Sequence, residues 1–173
     1  IGSMNPEEGN LRPQLLDRFG MVVDVEAETD VDKRLQIIEN RMAYEKNPGY
    51  FCRKYKESQE ELSERIRSAR EFLPTVRVPK ELLRLAAQIC VAYGTDGHRA
   101  DIGMIRTAQT IAALEGRKKA SREDLERAAR YVLPHRMRKN PLEDGQMDPQ
   151  VMEEILSVGK KSSREPEASG EGD

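Results

Sequence analysis

Tryptophan is absent from this 173-residue chain, and its aromatic complement is five Tyr and three Phe. Aromatic side chains bring the largest buried area per residue, so any core here must be built economically from aliphatic and small residues. Cysteine is nearly as scarce. Cys52 and Cys90 stand apart, with no CxxC spacing and no histidine beside them, which argues against a disulfide framework or a zinc site. Both read as reduced, partly buried thiols that behave as small hydrophobes. No stretch approaches the ~20 consecutive apolar residues of a membrane span. Nor does a basic-then-apolar leader open the chain, so the default compartment is the cytoplasm. The net charge is −2, which points neither to a bulk-basic binder of nucleic acid nor to an acidic solvating tail.

What the chain does have is charge and helical pattern. Charged residues make up 35%, against a typical ~25%. Met21-Val22-Val23-Asp24-Val25 after Gly20 is a short β-branched run and predicts a buried strand. From there the pattern turns helical. Thr29 with Asp32 three residues on has the spacing of a capping box, opening a helix over 31–44 with an apolar stripe of Leu35, Ile38 and Met42, and Val31 at its head. Asn47-Pro48-Gly49 breaks the chain. A long helix over 50–73 follows, with Phe51, Tyr55, Leu62, Ile66, Ala69 and Leu73 on one face. Its other face is dense in charge, with Glu61–Arg65 and Glu64–Arg67 at pairing distance. The run Arg53-Lys54-Tyr55-Lys56 could suggest nucleic acid, but the interspersed glutamates favour a solvated helix face.

Pro74 ends that helix and Pro79 opens the next, with Leu82, Leu83, Ala86, Ile89 and Cys90 apolar. Gly94 to Gly97 reads as a loop. A helix over 98–115 carries Ile102, Ile105, Ala108 and Ala112 and stops at Gly116. Ser121 with Asp124 caps a last helix bearing Leu125, Ala128, Ala129, Val132 and Leu133. The architecture predicted is one strand and then five helices. Both ends read as cut. Ile1 to Pro6 looks like the tail of a buried strand running into a polar loop. Ser157 to Asp173 holds only Val158 and Ala168 as apolar residues, too few to offset ordering entropy. The chain therefore reads as a fragment.

The first twenty residues are the most informative. Asn5-Pro6-Glu7-Glu8-Gly9, then Leu11-Arg12-Pro13-Gln14-Leu15-Leu16-Asp17-Arg18-Phe19-Gly20, resembles the sensor-1 and arginine-finger region of AAA+ ATPases, and more narrowly of magnesium-chelatase ATPase subunits. Asp96-Gly97-His98-Arg99-Ala100-Asp101 resembles the start of that family's sensor-2 helix. Pro134-His135-Arg136-Met137-Arg138-Lys139-Asn140-Pro141-Leu142 resembles the end of its lid. Three motifs in order over residues 1–142 make the resemblance specific, where NPxxG alone would be weak.

The resemblance implies a mainly α chain: the terminal strand of a truncated AAA+ α/β core, then a helical lid. Residues 1–28 would end the core, 29–142 would form the helical insertion and lid, and 143–173 a polar tail or linker. It implies ATP and Mg²⁺ as cofactors, with Asn5 as the neutral group that orients water or touches the γ-phosphate. Arg18 would be the finger reaching a neighbouring subunit's ATP, and Arg99 the sensor-2 cation delivered in cis. Phosphoryl transfer needs placed charge more than covalent help, and a guanidinium stays charged and forks onto phosphate oxygens. Residue chemistry alone leaves other readings open. Asn5 could be an Asn-Pro turn former, Arg18 a partner of Asp17 or Asp24, and Arg99 a partner of Asp96 or Asp101. Arg12 is a second finger candidate. Glu7 and Glu8 look like rim residues, since an acid–base pair needs a pocket. His98 reads as solvent-facing or as a loop hydrogen bonder, and His135 as a helix-end cation; no metal ligands are assigned.

Absences limit the activity. No GxxxxGK[ST] occurs; Gly159-Lys160-Lys161-Ser162 is a decoy with Glu154 where the first Gly belongs. Met21 to Asp24 lacks the Glu of a Walker-B strand. The chain should not hydrolyse ATP alone. The resemblance places it in an oligomeric ring of like or mixed subunits. That ring would drive Mg²⁺ insertion into protoporphyrin IX by a separate large porphyrin-binding subunit, in chlorophyll-type pigment synthesis. The same region occurs in an active ATPase subunit and in one that continues into an integrin-type domain. Alternatives are a cobalt or nickel chelatase motor, a MoxR-type AAA+ chaperone, or a non-enzymatic helical interaction module.

Overall fold

The computed structural model describes residues 1–5, 9, 11–95 and 97–137. Pro6, Glu7, Glu8, Asn10, Asp96 and everything from Arg138 onward, including the expected tail, lie outside them. The described residues form seven α-helices and no ladder-paired strand. They are α1 Pro13–Leu16, α2 Val31–Lys46, α3 Pro48–Lys54, α4 Lys56–Phe72, α5 Lys80–Ala92, α6 Arg99–Leu114 and α7 Arg122–Val132.

The expected strand over 21–25 is not formed among these residues. Met21, Val23 and Val25 are 54%, 66% and 91% exposed. The backbone there has no parallel or antiparallel neighbour among the described residues, and a strand exists only as one member of a ladder. It is anchored instead at one point, where the Val22 amide donates to the Tyr131 carbonyl at 2.9 Å.

The predicted helix over 50–73 is two helices. Tyr55 breaks it with φ −102° and ψ 5°, and its ring lies 4.9 Å from that of Phe51. Phe51 in turn meets Tyr44 edge-on at 5.8 Å, so three of the chain's eight aromatic residues fold α3 back onto α2. Asn47 serves both helices, ending α2 and accepting from the Tyr50 amide at 3.0 Å to start α3. The α2 cap is Asp30, whose carboxylate accepts from the Lys33 amide at 3.0 Å. Thr29, the residue expected, sits one position too early.

The core lies where α5, α6 and α7 meet. Leu85, Ala86, Ile89 and Cys90 of α5 close against Ala100, Met104, Ala108 and Ala112 of α6 and Leu125, Ala128, Ala129 and Val132 of α7. No aromatic is among the buried residues described. Alanines take the close contacts, and the larger Ile102 and Leu83, expected inward, face out at 51% and 46% exposure. The α6–α7 loop is pinned to the segment before α5: Arg77 donates to the Lys118 carbonyl at 2.9 Å and accepts from Ala120 at 3.0 Å. Gly116 supplies the φ of +68° that ends α6.

Candidate functional site

The α7 end of the bundle gathers most of the residues singled out in the sequence. Helix α1 is one turn long and closes in a tight bend: the Arg18 amide donates to Leu15 at 3.1 Å and Phe19 to Leu16 at 3.0 Å. Asp17 and Arg18 therefore sit side by side on a turn. The Asp17 carboxylate pairs with Arg99, the first residue of α6, across 82 positions of sequence. Hydrogen bonding from Arg99 is the main reason that the Asp17 pKa lies below the usual carboxylate range, with Arg136 adding to it. A cation at a helix N-terminus opposes the macrodipole, and an anion beside it relieves the conflict. Here that anion is Asp17 rather than Asp101; Asp96 is outside the described residues.

Arg18 itself is exposed and forms no ion pair among the described residues. The salt-bridge reading, to Asp17 or Asp24, is not what the structure places there. Asn5 is exposed as well, on a segment that runs close to the same turn: a Cβ on Gly2 would lie 3.1 Å from the Phe19 ring. Arg12 is exposed, and its carbonyl accepts the first two bonds of α1. His98 is exposed and precedes α6 without a side-chain cap.

Two residues beyond α7 turn out to matter more than their sequence suggested. Arg136 has a side chain only 6% exposed. Its guanidinium donates to the carbonyls of Phe19 at 2.7 Å, Asp17 at 3.2 Å and Gly20 at 3.3 Å. His135, expected as a helix-end cation, instead donates from Nε2 to the Phe19 carbonyl at 3.0 Å. Burial pushes its pKa below the ordinary imidazole value, so it is held neutral near pH 7. The signal for Arg136 was its place in the lid-ending motif. Nothing in that motif says which of its cations turns inward, because the carbonyls it meets lie more than a hundred residues away.

The residues present suit the phosphates of a nucleotide better than a metal ion. Arg99 and Arg18 are exposed guanidiniums near one turn, whereas no group of three His, Cys, Asp or Glu side chains gathers among the described residues. Cys52 is exposed and Cys90 buried, both free; burial raises the Cys90 thiol to about 11. No helix of the described residues is long and apolar enough to cross a membrane.

The chain is also similar to known proteins over most of its length. The AAA lid domain family matches residues 83–155, from within α5 onward. A magnesium-chelatase subunit homologue of Methanocaldococcus jannaschii is 41% identical over 94% of this chain and 45% of its own length. The magnesium-chelatase 38 kDa subunit of Rhodobacter capsulatus is 42% identical over 83% of this chain and 41% of its own. The chloroplastic magnesium-chelatase subunit of Glycine max is 46% identical over 83% and 34%. This chain thus spans less than half the length of each of these relatives. Among solved structures, an ATPase candidate from Cytophaga hutchinsonii superposes with a TM-score of 0.59 at 21% identity, over 86% of this chain and 48% of that one; that likeness concerns the fold.

Proposed function

We propose, for a chain that belongs to the AAA+ ATPases in the company of magnesium-chelatase subunits, that it is the C-terminal portion of a chelatase motor subunit. In this reading residues 1–28 end the ATPase core, 29–142 are the helical insertion and lid, and 143–173 are a polar tail. The observation that carries it is the meeting of Asp17 with Arg99. It joins the turn bearing Arg18 to the first residue of the lid helix that would face a nucleotide.

The chemistry asked of this piece is electrostatic. Mg²⁺-bound ATP supplies the phosphoryl group and the free energy of its hydrolysis. Arg99 reaches the phosphates of the same subunit's nucleotide, exchanging the Asp17 carboxylate for phosphate oxygens. Arg18, exposed on the neighbouring turn, enters the site of the adjacent subunit, where a finger of this kind is worth roughly 10³–10⁵ in rate. Asn5 orients the attacking water. The ring would couple these events to Mg²⁺ insertion into protoporphyrin IX on a separate large subunit. The sequence carries neither a phosphate loop nor a Walker-B carboxylate pair, so in this reading the chain alone is not expected to hydrolyse ATP.

Mixing this chain with a chelatase ATPase subunit that has an intact phosphate loop, and measuring ATP turnover, tests the reading. The wild-type chain changes turnover and Arg18→Ala does not. Equal behaviour of the two, or no association, overturns the finger assignment. It would favour the second reading, a helical interaction module, for which the exposed Leu35, Ile38 and Met42 on α2 speak.

A further inference from the structure

Arg136 stands out as a buried cation with no acidic group committed to it alone. Its Nε lies 3.4 Å from Asp17 Oδ1, while the other oxygen of that carboxylate pairs with Arg99. Its fork is spent on neutral acceptors, the carbonyls of Asp17, Phe19 and Gly20, which bracket Arg18 on both sides. A further bond from Nη1 to the Val132 carbonyl at 3.4 Å ties the same guanidinium to the end of α7. Room for it comes from Gly103 on α6, where a Cβ would stand 3.4 Å from Nη1 and 3.1 Å from a Val132 methyl. Gly103 is four residues on from Arg99, so the seat of Arg136 and the expected phosphate-binding cation share one face of α6.

We infer that Arg136 is a positioning residue for Arg18, the pin that keeps the finger-bearing turn fastened to the lid when Arg99 leaves Asp17 for a nucleotide. This rests on the reading of Arg18 as a finger. The two links differ in kind. Arg99–Asp17 is a charge pair with Arg99 63% exposed, open to screening and to competition from phosphate. The Arg136 bonds are sheltered and end on uncharged oxygens, which a phosphate cannot displace by charge. Lid motion sensed by Arg99 in one site is thus passed to Arg18 in the next through a contact that nucleotide does not break. A guanidinium suits the task because one planar group reaches several acceptors in fixed directions; lysine would reach one or two.

The test uses this chain as finger donor to a chelatase ATPase subunit with an intact phosphate loop whose own finger arginine is replaced by alanine. ATP turnover is followed for wild type, Arg18→Ala, Arg136→Ala and Arg136→Lys, with hydrogen exchange at the Val22 amide measured on the free chain. Arg136→Ala lowers kcat about 10- to 100-fold, the range for a misplaced catalytic group. It leaves the KM for ATP within about twofold, because the lost interaction acts in the transition state. Arg136→Lys recovers part of the rate, and Val22 exchanges faster while α6 amides stay protected. Loss with Arg18→Ala but none with Arg136→Ala overturns the pin and leaves the finger standing. No stimulation by wild type, or no effect of Arg18→Ala, overturns the finger and the pin with it. If Arg136→Ala does not fold, Arg136→Lys decides: faster Val22 exchange with unchanged kcat overturns the proposal.

Discussion

The α5–α7 bundle and the α2–α4 arm carry similar apolar stripes and meet opposite fates. In the bundle, Ile89, Met104, Leu125 and Leu133 are fully enclosed. On α2 no residue is buried at all, and Leu35, Ile38 and Met42 are more than half exposed. The arm touches the rest of the described fold chiefly through α4, where Ala69 alone of that helix is buried. Its own order comes from the aromatic contacts of Tyr44, Phe51 and Tyr55 and from surface pairs such as Arg41–Glu45 at 2.7 Å. Periodicity defines a helix's apolar face in both regions. What lies on that face is decided by the neighbours, and only the bundle finds them among the described residues.

The sharpest way to break this contrast is a cavity in the bundle. Leu125 is completely buried between α6 and α7, and removing a buried leucine side chain costs the transfer term plus the void left behind. Leu125→Ala is expected to lose about 2–5 kcal/mol of stability, read from the urea midpoint at pH 7. A loss below about 1 kcal/mol would mean that the bundle is no better packed than the arm.

The next effect in size comes from Asp124, the only polar side chain enclosed in the bundle among the described residues, at 1% exposure. It accepts from the Ser121 amide at 2.8 Å and from Arg117 at 2.7 Å, while Arg117 also pairs with Glu115 at 2.7 Å. Burial pushes the Asp124 pKa up, but the bonds from Arg117 and Ser121 outweigh it and hold the group below 3.8. A depressed carboxylate stabilises fully above its unfolded pKa and loses that contribution as pH falls through the folded one. Asp124→Ala is expected to cost about 2 kcal/mol at pH 7, the sum of a lost cap and an orphaned partner. The same variant should show a flatter stability profile below pH 4; a profile parallel to wild type would remove Asp124 from the acid response.

How far the sequence alone reaches follows from these two regions. Ser121 and Asp124 were legible because a capping box is local, four residues with one geometry, and the structure shows both of its bonds. The mainly helical plan and the family resemblance were legible for a similar reason, since ordered motifs survive without knowledge of contacts. The break at Tyr55 was not, because it depends on Phe51 and Asn40 being within reach, the latter through a 3.4 Å bond from the Tyr55 hydroxyl. Val22 was read as strand from its β-branched neighbours, whereas its partner is a carbonyl at the end of α7. Arg136 and His135 were hidden for the same reason: their environment is made by residues 17–20, and no local pattern records it.

A smaller effect should appear with pH at the junction of the two ends. His135 is depressed by burial, and Arg136 lowers it further while the Phe19 carbonyl and Asp17 act in the other direction. A buried base with a lowered pKa contributes stability that is complete above its unfolded value near 6.5 and falls as pH drops through that value toward the folded pKa. Asp17, depressed below 3.8 by Arg99, keeps its own contribution until far lower pH. Between pH 7.5 and 5 the 17–22 segment should therefore loosen before the bundle does. Exchange at the Val22 amide, corrected for its intrinsic pH dependence, is expected to accelerate over that window. Exchange at Met104 is not. Parallel acceleration at both sites would assign the effect to the whole domain, and none at Val22 would mean that His135 protonates without disturbing its bond to Phe19.

The smallest change is the most direct test of the arm. Ile38 is 55% exposed on a helix that buries nothing, so Ile38→Ser removes apolar surface that water already reaches. Its effect on the urea midpoint should stay within about 0.5 kcal/mol, against several for Leu125→Ala. The paired substitution Ile38→Ser with Met42→Ser should remain nearly additive, since neither side chain is enclosed by the other's removal. A loss of 2 kcal/mol or more would show that α2 is covered in solution by a surface absent from the described residues. Dependence of that loss on protein concentration would identify the cover as a second copy of the chain, and independence would place it within the same polypeptide. Either result would turn the exposed stripe on α2 from a solvated face into an interface, and with it the contrast between arm and bundle into one between surfaces that find their partners at different stages of assembly.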